Sequence, residues 1–408
     1  MITTETSSIT RTGVLIRTAD QGLWSLGFFV FTLAAGLSLP IDGFASLSVG
    51  AALGFIAVGT SRAWGIYAPI VGAAKIGIPP EASIDRWSSW RGTVTFAAVT
   101  AAASFVWISR TDDIAFAAIV AALAGLMVVS DLPRQVLIIR GRYIQAAILA
   151  GMYAFGAAAT AVMLLLGEDV LFPAWLMSLG VVLVVGVVLC GNETAAARAD
   201  SHFSIAWRIT AEAVYLGVGS QIATLLLYLI HDDAATAGIR FAYTLVYAPV
   251  FVVIQSVQPL IFKQFATLSA QGTRAVLAAS IRWNIAVAVG LALFGVVGFV
   301  LLSTVFSDLG PSAAEPYVVP VGLAILSAQT FEVALMATRF FVSPVFTHRG
   351  RLVSVLVDVG GQAVGVVLGG AVGLVWALIV LSLARIAVSI AMLVVLPRRD
   401  GPLQGEPS

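Results

Sequence analysis

The sequence predicts an all-α integral membrane protein of about twelve transmembrane helices, arranged as two six-helix lobes related by a parallel pseudo-two-fold repeat. Three observations predict it: a composition too apolar for water, twelve apolar stretches near spanning length, and basic residues confined to alternate connections. Of 408 residues, 60% are hydrophobic and 11% charged, with a mean hydropathy of +1.01. Soluble domains carry roughly 25% charged residues. Lipid is therefore the solvent for most of this chain. The single cysteine, Cys190, excludes an intrachain disulfide and a thiolate metal centre, and reads as a small buried hydrophobe. The net charge of +1 argues neither for nor against nucleic acid, and no nucleic-acid partner is expected.

A hydrocarbon core about 30 Å thick needs roughly 20 apolar helical residues. The stretches that supply them are 22–40, 44–72, 92–109, 114–130, 143–166, 173–190, 211–230, 239–262, 276–303, 317–341, 352–371 and 374–396. Only a glycine-rich turn at Gly369, Gly370 and Gly373 divides the last two. The polar segment 1–17 does not read as a signal peptide, because the first apolar run is long enough to span. The expected organisation is a tail 1–17, a lobe 18–190, a linker 191–209, a second lobe 210–396 and a tail 397–408. Numbering the connections alternately places 18 of the 22 lysines and arginines on one side. Only Arg110 and Arg240 fall on the other, among acidic residues such as Asp42, Asp113, Asp232 and Asp233, while Arg62 and Arg385 lie inside spans. The positive-inside rule then puts both termini in the cytoplasm of a cell bounded by this membrane.

The two halves echo each other. Thr18-Ala19-Asp20 opens the first span and Thr210-Ala211-Glu212 the seventh, with Gly27 and Gly219 at the same offset. Arg140-Gly141-Arg142 precedes the fifth span and Arg349-Gly350-Arg351 the eleventh. Six is an even number of crossings, so both halves enter the membrane the same way, and a route for substrate is expected between them.

Several segments also resemble a known family. Asp20-Gln21-Gly22-Leu23-Trp24-Ser25-Leu26-Gly27, the short acidic Ile41-Asp42-Gly43-Phe44, and Gly59-Thr60-Ser61-Arg62-Ala63 resemble the opening of bacterial polysaccharide flippases. Those are O-antigen and teichoic-acid exporter-like proteins of the multidrug/oligosaccharidyl-lipid/polysaccharide exporter superfamily. Asp131-Leu132-Pro133-Arg134 resembles the loop after their fourth helix, and Phe241 to Pro249 their eighth helix with its mid-span proline. The resemblance implies two lobes around a V-shaped cavity in the bacterial cytoplasmic membrane. It implies export of a lipid-linked oligosaccharide or polysaccharide precursor by alternating access, without covalent chemistry or cofactor. The implied partners are the lipid-linked glycan, membrane lipids and glycan-assembly enzymes. The extra C-terminal helices of lipid II flippases are missing here.

Intramembrane charge costs at least a few kcal/mol, so Arg62, Glu332, Asp358 and Arg385 are the first candidates. Arg62 has no acidic partner on its own span. It is expected either to dock a pyrophosphate with its planar fork or to pair with Asp20 or Asp131. Glu332, Asp358 and Arg385 are expected at similar depth, as an ion-pair network bracing the second lobe or as an ion-coupling site. Gln255 and Gln258, one turn apart, are candidates for a sugar path. Arg134 is a candidate for gathering phosphorylated lipid at the cavity mouth, against the alternative of ordinary positive-inside charge.

Three alternatives compete with the flippase reading. A cation-coupled drug antiporter of the same fold needs a carboxylate deep in the cavity, which the N-terminal spans lack. A membrane glycan polymerase or ligase needs a large basic or catalytic outer loop, yet every outer loop here is short and acidic, and the only histidines are His202, His231 and His348. A major-facilitator carrier lacks its basic glycine-bearing motif between spans two and three.

Overall fold

The computed structural model describes residues 11–70, 86–109, 113–168, 170–191, 203–248, 250, 254, 261, 264–265, 268, 272–305, 307, 310–338 and 344–395. Among the described residues, twelve helices follow in order: α1 (Arg11–Ser38), α2 (Ile41–Arg62, continued by a π-helical turn Ala63–Tyr67), α3 (Arg86–Ile108), α4 (Ile114–Ile139), α5 (Tyr143–Leu165) and α6 (Leu171–Cys190). The second set is α7 (Phe203–Leu229), α8 (Asp233–Phe241, continued by a π-helical turn Ala242–Val246), α9 (Thr273–Thr304) and α10 (Val318–Thr338, preceded by a 3₁₀ turn Gly310–Tyr317). The helical run Pro344–Val395 is broken at Gly369 and Gly370 into α11 (344–368) and α12 (371–395). Gly370 sits at φ +57°, where a side chain would strain the backbone, which is why the glycine pair marks the turn.

Among the described residues, ten stretches are long and apolar enough to cross a bilayer, and the last of them, 47 residues long, is broken at Gly369 and Gly370. Large apolar side chains point outward, with Leu165 87% and Val367 82% exposed, as expected of surfaces solvated by lipid tails. Helices α1–α6 pack on one another, with α1 against α5 and α4 against α2, α3 and α6. Helices α7–α12 form the second set, with α10 against α9 and the α11–α12 pair, and the latter against α7.

The helices run further into polar sequence than hydropathy predicts. Helix α1 is already helical at Arg11, well before residue 22, and α11 at Pro344, before residue 352. Asp131-Leu132-Pro133-Arg134, expected as a loop after the fourth helix, lies inside α4. Arg240, expected in an outer connection, lies inside α8. The face holding the short α1–α2 and α7–α8 turns is here called the acidic face, and the opposite one the arginine-rich face. Acidic residues on the former cap helices: Asp113 accepts the Phe116 N–H at 2.8 Å and Asp232 the Ala235 N–H at 3.0 Å.

The lobes meet chiefly through α2, which packs on α7 and α8. Ala45, Val49 and Ala52 interlock with Leu225 and Tyr228, and the Ser46 and Tyr228 hydroxyls lie 3.1 Å apart. Nearer the arginine-rich face, Gly217 brings α7 against Ile56, where a Cβ would sit 3.2 Å from the Ile56 Cα. Close to the acidic face the Phe241 ring stacks on Phe44, with centroids 4.0 Å apart and planes 8° from parallel.

Candidate functional site

Each lobe contains a carboxylate–arginine–carboxylate bridge. In the first, Arg134 donates from Nη1 to Asp20 at 2.8 Å and from Nη2 to Asp131 at 3.1 Å. Arg62 reaches Asp131 with two bonds, Nε at 2.6 Å and Nη2 at 2.7 Å. Arg134 also lies over the Trp24 ring, 4.6 Å from its centroid. Asp20, Asp131 and Arg134 are each at most 3% exposed, so none of the three retains hydration to offset a missing partner. Two acids and two arginines make the cluster neutral. The Arg134 side chain is fully buried, which removes it as a substrate contact in this conformation; its work here is to hold α1 to α4. Arg62 is 27% exposed in its side chain, and Asp131 leaves its Nη1 free of that pair. Of the two readings of Arg62, this conformation displays the ion pair.

The second lobe repeats the plan. Glu212 of α7 corresponds to Asp20 of α1, and Glu332 of α10 stands on the helix equivalent to α4. Arg351 of α11 joins them, donating to Glu212 at 3.3 Å and to Glu332. His348 lies 2.6 Å from Glu212 through Nδ1. Asp358 pairs separately with Arg385, which also donates to the Ser327 hydroxyl at 3.3 Å. The expected single network of Glu332, Asp358 and Arg385 is thus two networks, because α11 presents Arg351 to Glu332 and α12 presents Arg385 to Asp358. Gln255 and Gln258 lie outside the described residues.

One intramembrane cation has no carboxylate among the described residues. Arg240 of α8 is 4% exposed. Its guanidinium lies 5.4 Å from the Phe28 ring centroid and 5.1 Å from that of Phe55, so a residue of the second lobe is held by two aromatic faces of the first. Its only described hydrogen bond is a long one, from Nη1 to Gln221 Oε1 at 3.3 Å, and its Nη2 is buried with no partner. Phe55, itself 38% exposed, covers it. Helix rise puts Phe28 about ten residues, and so about 15 Å, from the end of α1, well inside the hydrocarbon. Sequence reasoning missed Arg240 because it counted the residue with the outer connection, although it stands at the edge of the stretch 239–262. The available signal was its anomaly as one of two arginines on the acidic side.

The architecture has solved counterparts. A multidrug resistance MATE family transporter of the MOP superfamily matches in its inward-facing conformation with a TM-score of 0.61, at 14% identity, over 95% of this chain and 100% of that one. The outward-facing conformation matches at 0.60, with 14% identity, over 94% and 96%. The fold is that of the MATE transporters. A MOP superfamily transporter from Pyrococcus furiosus, described as having a binding pocket of reverse polarity that suggests a different function, matches at 0.58 with 13% identity over 95% of each chain. No family model and no curated protein matches the sequence. The structural neighbours are transporters and not enzymes, as the sequence led us to expect. The polysaccharide subtype suggested by the motifs is a finer statement than this likeness carries.

Proposed function

We propose that this protein is an alternating-access transporter of an anionic lipid, flipping a lipid-linked oligosaccharide or polysaccharide precursor across a bacterial cytoplasmic membrane. One observation carries the reading: Arg240 is a buried guanidinium between the lobes with no carboxylate among the described residues. By contrast Asp20, Asp131, Glu212, Glu332 and Asp358 each pair with an arginine. A guanidinium held at the lobe boundary with no carboxylate among the described residues favours an anion. The planar fork suits the two oxygens of a phosphate or diphosphate. Phe28 and Phe55 would give the first isoprene units or a sugar face an apolar surface. Arg62, through Nη1, is the second phosphate contact we assign, with Gln255 and Gln258 along the sugar path. The acidic face is outward and both termini cytoplasmic in this reading, with glycan-assembly enzymes supplying substrate on the arginine-rich side.

The likeness to multidrug MATE transporters supports a second reading, a cation-coupled antiporter. That role needs an intramembrane carboxylate released from its arginine. The two readings separate in proteoliposomes. Fluorescent polyprenyl-diphosphate sugar should be flipped, and Arg240→Gln should abolish flipping while leaving the folded yield intact. Uptake of a cationic dye driven by a proton or sodium gradient, unaffected by Arg240→Gln, would overturn the anionic reading.

A further inference from the structure

The residue after Arg240 does a different job one ångström-scale step along the same turn. Phe241 is 1% exposed and crosses to the first lobe near the acidic face. Its ring stacks on Phe44 of α2 and occupies the notch at Gly36 of α1, where a Cβ would overlap the ring carbons Cε1 and Cζ. Phe28, Thr32 and Gly36 are spaced four apart, so they share one face of α1. That face meets Arg240 at Phe28 and Phe241 at Gly36. Thr32, between them, is 3% exposed and its hydroxyl has no partner. The backbone immediately after Phe241 is the π-helical turn Ala242–Val246. Such turns hold one extra residue and recur where helices must change register. Relaxing one to α geometry turns the preceding residues by about 100° relative to those that follow.

We propose that Arg240 and Phe241 form one coupling turn, in which an anion drawing Arg240 off Phe28 and Phe55 withdraws Phe241 from the Gly36–Phe44 notch and opens the acidic face. Phe241 is a positioning residue: it touches no substrate, and it makes opening conditional on what Arg240 holds. Without the anion, the guanidinium stays on the aromatic pair and the plug stays seated. The proposal rests on the reading of Arg240 as the anion site. It adds that binding and unsealing are linked through two adjacent residues on α8.

The test uses the full chain in lipid nanodiscs, with Cys190→Ala as background and Thr32→Cys as reporter, labelled by a hydrophilic maleimide. The probe is farnesyl diphosphate, with farnesol as the uncharged control, and binding is measured separately by calorimetry. In the parent, saturating probe should raise the labelling rate about tenfold, and farnesol should not. Arg240→Gln should lose both binding and the rise. Phe241→Ala should bind the probe as the parent does, yet label fast with or without it. Gly36→Ala, which evicts the ring without touching it, should reproduce Phe241→Ala. Binding by the parent with no change in labelling overturns the coupling and leaves the anion site standing, as does a full probe-dependent rise from a slow baseline in Phe241→Ala. Failure of the parent to bind overturns the anion site and the coupling together.

Discussion

Replacing Arg134 by glutamine should cost far more than its lost contacts, and a second substitution should give most of the loss back. In the wild-type cluster Asp20, Asp131, Arg62 and Arg134 sum to zero charge, and three of the four are at most 3% exposed. Arg134→Gln leaves a net −1 buried among α1, α2 and α4. Removing one partner of a buried pair costs about 3–5 kcal/mol, chiefly from the charge left uncompensated. Asp20→Asn alone strands charge of the opposite sign. The double variant Asp20→Asn with Arg134→Gln restores neutrality, because Arg62 keeps both bonds to Asp131 at 2.6 and 2.7 Å. Its cost should fall to on the order of 1.5–3 kcal/mol, that of hydrogen bonds to charged groups. With each single variant costing about 3–5 kcal/mol, the cycle should show favourable coupling of at least about 3 kcal/mol, at or beyond the upper end for contacting residues. Reversible unfolding in mixed detergent–SDS micelles reads this directly, followed by tryptophan fluorescence, since Trp24 lies against Arg134. A double variant as unstable as the sum of the singles would refute the claim that neutrality governs this cluster.

Two further outcomes follow from the packing. Trp175 donates to the Tyr153 hydroxyl at 2.9 Å and both are 1% exposed, so Trp175→Phe should cost about 1–3 kcal/mol by stranding that hydroxyl, and adding Tyr153→Phe should recover part of it in the same titration. A Cβ at Gly373 would overlap the Gly365 carbonyl where α11 and α12 cross, so Gly373→Val should destabilise the second lobe by about 1–3 kcal/mol and reduce the monodisperse fraction in size-exclusion chromatography.

The fold was legible because hydrocarbon imposes a length on apolar runs and a bias on arginines, and both survive in one dimension. The α11–α12 break was legible because the backbone at Gly370, φ +57° with ψ −136°, strongly favours glycine. The site was less legible because hydropathy marks the bilayer and not the helix. Helices continue through polar turns beyond the apolar run, so Asp131 and Arg134 read as loop although α4 carries them to Ile139. The same error put Arg240 outside the membrane, where it drew attention only as an exception to the charge rule. The partner of Arg62 could not be read from its own span, since Asp131 approaches from another helix. The repeat came closer: matching Asp20 to Glu212 located one carboxylate of each bridge, without revealing the second or what joins them.

That last gap has a physical explanation. The repeat fixes where the backbones of corresponding helices lie, and so fixes the carboxylates on the first and fourth helices of each lobe. It does not fix which helix supplies the cation. The bridge needs only a guanidinium delivered between two carboxylates, and the long arginine side chain can come from any neighbouring helix. Arg134 therefore arrives from the same helix as Asp131, three residues on, while Arg351 arrives from the helix after Glu332. The pendant partner differs as well, Arg62 in one lobe and His348 in the other. What the two lobes share is an arginine set between two carboxylates, and not the helix that supplies it. Arg240 stands at the lobe boundary with no carboxylate among the described residues, and a cation held there by both halves is the feature an anionic substrate would cancel.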